Sequence, residues 1–239
     1  MTCPRCRRAD CPGCEPLPKA EPSSVSLPWE QAREPWPRRL WRTAIATSID
    51  PERTFGELGE TSVAPALTFA IAAETLALGS LAGAAVACLY AAAPELTARI
   101  LSDREVVFWS LALLVMAIGV MVALHVIWGM CIELGAGRAA RVRQGIRFGL
   151  YACGWDLLTS PAGIVHGFAA RGMSGAWTPI VAAVRVPRVA LRVYVERCRK
   201  LDRAAQRRGT RLSLAVLGSI LFMIAAGVPL TLLGYVPGW

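Results

Sequence analysis

The chain has 239 residues, of which 54% are hydrophobic, and a formal net charge of +9. This composition excludes a disordered chain and is typical of integral membrane proteins. The charge is uneven: residues 138–211 hold fifteen Lys and Arg against three acids, whereas residues 1–62 are balanced. A basic cluster between apolar segments indicates a cytoplasmic membrane face, so we expect the lipid bilayer as a partner and no nucleic acid.

Four of the eight cysteines stand in a head that covers residues 1–15. Cys3 and Cys6 form one CxxC pair, and Cys11 and Cys14 form a second. Two such pairs supply the four thiolates of a structural, tetrahedral Zn²⁺ site. The spacer between the pairs is shorter than in ordinary zinc ribbons, and a flexible thiol-bearing tail is the alternative. Zinc and free thiolates place the head in the reducing cytoplasm.

Residues 16–37 contain six prolines and are predicted to be an extended linker. In residues 38–62 apolar side chains recur at helical spacing opposite arginines. This pattern predicts an amphipathic helix that either lies in the membrane interface or packs on the helical bundle. Asp50 and Pro51 should end that helix and begin another turn, because Pro is favoured at a first helical position.

Residues 63–239 are predicted to form a transmembrane helical domain, since about 20 apolar residues in a helix cross the bilayer hydrocarbon. Three strong segments cover residues 63–93, 106–134 and 212–235, and two weaker ones cover 145–168 and 175–195. We therefore predict an all-α fold, a polytopic bundle of about five spans, with a short loop at 94–105. Gly79 and Gly83 form a small-x3-small step that predicts a close helix contact.

The distribution of charge favours five spans over four. With a cytoplasmic N-terminus, the first two spans return the loop from Arg138 to Arg147 to the cytoplasm. A hairpin of the two weaker segments then leaves the run from Arg192 to Arg211 inside as well, as the positive-inside rule favours. A re-entrant or interfacial segment over 145–190 would leave the C-terminus on the same side. The basic run can bind anionic lipid headgroups, or it is a solvated topogenic segment. Only two of the 26 basic residues are Lys and Ala is abundant, which suggests a GC-rich bacterial genome, so we expect a bacterial inner membrane.

The order of these features resembles a known family. The stretch LWRTAIATSIDPERTF leads into an apolar span, the basic loop ends in GIRFGLYACGWDLLTSPAG, and a basic segment and a last span follow. This layout, over residues 38–235, resembles the Yip family of small five-span proteins, in the bacterial form with a zinc-ribbon-like head. The resemblance implies a scaffold or membrane-organising role and an unknown protein partner, with no catalytic residues to transfer.

Ionisable side chains inside apolar spans are functional candidates, and the chain has four: Glu74, His125, Glu133 and Asp156. If Glu74, His125 and Asp156 face one another, they can relay protons or hold a cation. In the alternative, Glu133 and Asp156 lie near the membrane interfaces, and Glu74 and His125 satisfy each other or a backbone group. No nucleophile with its base, phosphate loop or protease motif is present, so we expect no enzyme.

Three functions are therefore consistent with the sequence. The first is the Yip-like scaffold with a cytoplasmic zinc-binding head. The second is a small transporter or channel that uses Glu74, His125 and Asp156. The third is a membrane-tethered regulator whose head responds to zinc or to redox state.

Overall fold

A computed structural model describes residues 27–31, 33–56, 58–59, 62–175, 189–198 and 201–234. Side chains are described up to residue 220, apart from 197 and 198. Every regular element in this part of the chain is helical, which confirms the predicted all-α class. The zinc ligands predicted in the head, Cys3, Cys6, Cys11 and Cys14, lie outside the described residues, as does most of the weaker segment 175–195.

The α-helices that lie wholly within the described residues are α1 (Trp36–Ile49), α2 (Pro51–Gly56), α3 (Ala64–Ala92), α4 (Pro94–Ser102), α5 (Arg104–Gly135), α6 (Val142–Thr159), α7 (Pro161–Arg171) and α8 (Arg203–Gly234). Residues 189–193 are α-helical as well. Short 3₁₀ turns occupy Pro28–Glu30 and Ala139–Arg141, and a π-helical turn occupies Tyr194–Cys198.

Helices α3 and α5 coincide with the two strong segments predicted at 63–93 and 106–134. Both are long and apolar enough to cross a membrane, with 29 and 32 residues. At 1.5 Å per residue, α3 alone is about 43 Å long. Only 6% of the most apolar 18-residue stretch of each helix is buried inside the structure, so neither resembles the core helix of a water-soluble protein. The described residues thus contain two candidate spans, and the count of five stays a prediction.

The pair α3 and α5, joined by α4, forms a hairpin with two different halves. The buried side chains of α3 all lie between Ala66 and Ala77, and those of α5 between Val122 and Glu133. The rest of the hairpin, residues 78–121, exposes large apolar side chains; Leu81, Phe108, Trp109, Val115 and Met116 are 56–69% exposed. We call this part the apolar hairpin. An exposed apolar surface of this size marks a contact with a membrane or with another protein.

Two sequence predictions need correction in this region and beyond it. Residues 94–105 are not a plain loop, because Pro94 occupies the first turn of α4 and Asp103 caps α5 by accepting bonds from two backbone N–H groups. The apolar segment 145–168 is not one helix either. It breaks at Ser160, whose hydroxyl caps α7 by accepting from the N–H of Gly163, and Pro161 then begins the new helix.

We call the part of the structure where buried side chains meet the packed half; it includes α1, α6, residues 66–77 of α3 and residues 122–133 of α5. Helix α6 lies at its centre, in contact with α1, α3 and α5. Its buried residues run along most of its length, from Gln144 to Leu158. Helix α1 packs directly on it: the indole of Trp155 donates to the carbonyl of Thr47 at 3.0 Å, and a Cβ at Gly154 would overlap the Thr47 hydroxyl. The amphipathic helix therefore packs on the bundle through its buried face, and it ends at Asp50 as the sequence predicted.

Candidate cation site

Three helices place an acidic, an imidazole and a thiol side chain together at the base of the apolar hairpin. Glu74 comes from α3, His125 from α5, and Cys153 from α6. Their ligand atoms all lie within 4.8 Å of one another. Asp156, one turn beyond Cys153 on α6, approaches the opposite side of the imidazole. The sequence hypothesis that Glu74, His125 and Asp156 face one another is confirmed.

The imidazole of His125 lies between the two carboxylates. Its Nδ1 is 3.9 Å from Oε1 of Glu74, and its Nε2 is 3.3 Å from Oδ2 of Asp156. The same Nδ1 also lies 3.1 Å from the carbonyl oxygen of Met121, one turn earlier on α5. Oxygen acceptors thus face both ring nitrogens. A neutral imidazole has only one N–H, so it satisfies only one of these contacts.

The solvent exposure of the side chains increases across the cluster, from Glu74 to Asp156. The side chain of Glu74 is 1% exposed, that of His125 is 13% exposed, and that of Asp156 is 37% exposed. Cys153 is fully buried. The cluster is therefore partly open on the Asp156 side, whereas Glu74 forms its closed end.

Glu74 is the least satisfied of these groups. Both of its carboxylate oxygens are buried and have no hydrogen-bond partner among the described residues, and the same is true of Oδ2 of Asp156. His125 is the only base within 4 Å of either acid in the part of the chain that the structure describes. Even a protonated His125 leaves one negative charge in excess if both acids are ionised. A buried charge without compensation is strongly unfavourable, so the cluster needs protons or a bound cation.

Glycines on α5 and α6 bring the cluster together. A methyl group on Gly149 would overlap the carbonyl oxygen of His125, and one on Gly129 would overlap that of Gly145. The backbones therefore touch directly, one turn before Cys153 on α6. By contrast, nothing lies within 4 Å of a Cβ built on Gly79 or Gly83, so the small-x3-small step predicted on the first span is not what joins the described helices.

Two other buried acids have partners and do not join the cluster. Glu133 is fully buried, away from solvent, and accepts a 2.6 Å hydrogen bond from the hydroxyl of Tyr194. Glu30 accepts from Tyr151 at 2.7 Å and forms an ion pair with Arg147. Glu74 differs from both of these acids, because neither of its carboxylate oxygens accepts a hydrogen bond from a described residue.

Arg147 occupies a different position from the one the basic loop suggested. It is 2% exposed on α6, and its guanidinium donates to the carbonyl of Gly59 and to Glu30. It therefore fixes the segment before α1 to the centre of the bundle instead of facing solvent. Arg141 and Arg143 remain exposed.

Cys153 was not among the candidate site residues predicted from the sequence. The signal was present: Cys153 and Asp156 are three residues apart and so share a helix face. The partner of Glu133 could not be predicted, because Tyr194 lies 61 residues further along the chain.

Comparison of the chain with protein-family models, with curated proteins and with solved structures found no match. The resemblance to the Yip family therefore stays a prediction from layout, and the chemistry of the site rests on its own geometry.

Proposed function

We propose that this chain is a small integral membrane protein of the transporter or channel class, and that its buried Glu74–His125–Asp156 cluster binds the cation it moves. The observation that carries the proposal is the carboxylate of Glu74, which is buried without a hydrogen bond near a second acid, with one imidazole between them. Ionisable groups inside apolar helices mark ion pathways more often than they stabilise a fold.

The position of the cluster supports the same proposal. It lies where the apolar hairpin enters the packed helices, with Asp156 at its partly exposed edge and Glu74 at its closed end. A cation arriving at Asp156 would pass the imidazole before reaching Glu74. Protein contacts on α3, α5 and α6, instead of lipid, surround this end of the site.

Cation flux into proteoliposomes tests the proposal. The full chain is reconstituted, and uptake of a panel of divalent cations is measured by elemental analysis, with protons followed by an entrapped pH dye. We expect flux of at least one cation that falls by about tenfold or more in Glu74→Gln and Asp156→Asn, because each variant removes a negative charge from the cluster. The matched control is Glu95→Gln, an exposed acid on α4, which should not change the flux.

The scaffold role implied by the Yip resemblance predicts the opposite result for these variants. A membrane-organising protein does not need an unpaired buried acid, so its activity should survive replacement of Glu74 and Asp156 together. If the reconstituted chain moves neither a cation nor protons, the transporter proposal is wrong and the scaffold becomes the better proposal. A zinc-sensing or redox-sensing regulator would instead depend on the cysteines of the head.

A further inference from the structure

Cys153 belongs to the same cluster and has no part in the function proposed above. It is fully buried on α6, and its sulfur is within 4.8 Å of ligand atoms of both Glu74 and His125. A sulfur, a nitrogen and an oxygen donor converge here from three different helices. Mg²⁺ and Ca²⁺ take oxygen ligands, whereas thiolate and imidazole together select zinc and similar transition metals.

The surroundings of His125 point to the atom that would bind a metal. Nδ1 faces Glu74, at 3.9 Å, and the sulfur of Cys153 lies within 4.8 Å of a ligand atom of each of these two residues. Nε2 faces Asp156 at 3.3 Å. In metal sites the second ring nitrogen of a ligating histidine almost always donates to a carboxylate, carbonyl or water. A metal on Nδ1 would replace the 3.1 Å contact of that nitrogen with the carbonyl oxygen of Met121, while an N–H on Nε2 is directed at Asp156.

Charge supports the same arrangement. A divalent ion held by the carboxylate of Glu74, the thiolate of Cys153 and the neutral imidazole of His125 forms a neutral unit. Binding breaks the S–H bond of Cys153, forms a metal–sulfur bond and releases one proton to solvent. Burying this neutral unit in an apolar interior costs less free energy than burying the ionised carboxylates of the metal-free site.

The spacing is close to what such a site needs. Metal–ligand bonds of about 2.0–2.3 Å in tetrahedral geometry put ligand atoms roughly 3.3–3.8 Å apart. The three donors therefore have to draw together by about 1 Å, which is within the reach of side-chain rotation.

We infer that Glu74, His125 and Cys153 are the ligands of a transition-metal ion of the zinc class, with Asp156 orienting the imidazole. The inference rests on the proposed function only in taking the same buried cluster, and it does not require transport. This site is separate from the four cysteines predicted to bind zinc in the head, because all of its ligands lie on the membrane-associated helices.

Cobalt titration tests the inference directly. The full chain is purified in detergent with the four head cysteines replaced by serine, so that they contribute no thiolate. Co²⁺ should then give one equivalent of a thiolate-to-cobalt charge-transfer band and tetrahedral d–d bands, and Zn²⁺ should displace it. Cys153→Ser should abolish the charge-transfer band. The matched control is Cys131→Ser, a buried cysteine of α5 outside the cluster, which should keep the band.

A second variant separates ligand loss from misfolding. Asp156→Asn keeps all three ligands, so the charge-transfer band should remain while Co²⁺ affinity falls by about 10–100-fold. The absence of a band in the head-serine protein, or a band that survives in Cys153→Ser, would overturn the inference. Cation flux without a charge-transfer band would support the proposed transport and show that the assigned metal ligands are wrong. A band without flux would support the metal ligands and show that the proposed transport is wrong.

Discussion

At the residue scale, one glycine controls the distance between the imidazole and the thiol. The Cα of Gly149 lies against the carbonyl of His125, so even a methyl group at this position would overlap it. No flexible side chain can move aside, because the obstacle is the backbone of α5. Gly149 therefore sets the approach of α5 to α6 at the level of the cluster.

Gly149→Ala should therefore destabilise the protein by about 1–3 kcal/mol, as over-packing of a close contact does. It should also weaken Co²⁺ binding, because the helices move apart at His125. Gly79→Ala is the matched control, because nothing lies within 4 Å of a Cβ built at this position. Its free energy of unfolding should stay the same or rise by up to about 1 kcal/mol. Thermal unfolding in detergent measures both. Equal shifts in the two variants would contradict the role of Gly149.

The sequence was sufficient to select Glu74, His125 and Asp156 as a group, because acids and histidine are rare in apolar helices. It was not sufficient to add Cys153, since cysteine is also a common small residue in such helices. It also could not show which glycines join the helices. Gly79 and Gly83 have the same spacing as Gly145 and Gly149, and only the fold distinguishes the two pairs.

At the scale of elements, Glu30 and Arg147 join the segment before α1 to the central helix α6. Arg147 is 2% exposed and the side chain of Glu30 is 15% exposed, so this ion pair is shielded from water. Tyr151 donates to the same carboxylate oxygen. Removing one partner of such a pair leaves the other buried and uncompensated.

Arg147→Met should therefore destabilise the protein by about 3–5 kcal/mol, and the double variant Glu30→Gln/Arg147→Met should be less destabilised than the sum of the single variants. Thermal unfolding in detergent gives the three values. The exposed pair Glu34 and Arg42 is the control, and Arg42→Met should change stability by no more than about 1 kcal/mol. Additive effects at Glu30 and Arg147 would show that the ion pair is not a unit.

Elements with strong local signals were predicted well. The ends of α3 and α5 lie within two residues of the segments predicted at 63–93 and 106–134. The turn at Asp50 and Pro51 also follows from local chemistry. The break at Ser160 was missed, because apolar composition continues through it and we gave too little weight to Pro161, which is tolerated at a first helical position.

At the scale of the whole molecule, the packed half and the apolar hairpin differ in which side chains they bury and which they expose. The packed half buries ion pairs and aromatic side chains around α6, whereas the apolar hairpin exposes Phe108, Trp109 and Val115. The number of spans depends on segments that lie partly outside the described residues. The two candidate spans α3 and α5 are the part of the predicted bundle that the structure supports.

The central claim is that the apolar hairpin lies in lipid, because a cation site at its base has a transport role only there. A nitroxide attached through Val115→Cys, a site 69% exposed in α5, reports this directly. The full chain is studied in lipid vesicles with the head cysteines, Cys88 and Cys198 replaced by serine. The control label is at Arg143→Cys, an exposed position at the start of α6.

Power-saturation measurements compare collisions of each label with O₂, which concentrates in hydrocarbon, and with a water-soluble nickel chelate. We expect the label at residue 115 to collide with O₂ and to be shielded from the chelate, and the label at residue 143 to show the reverse. Equal access of the nickel chelate to both positions would show that the apolar hairpin faces water and not lipid.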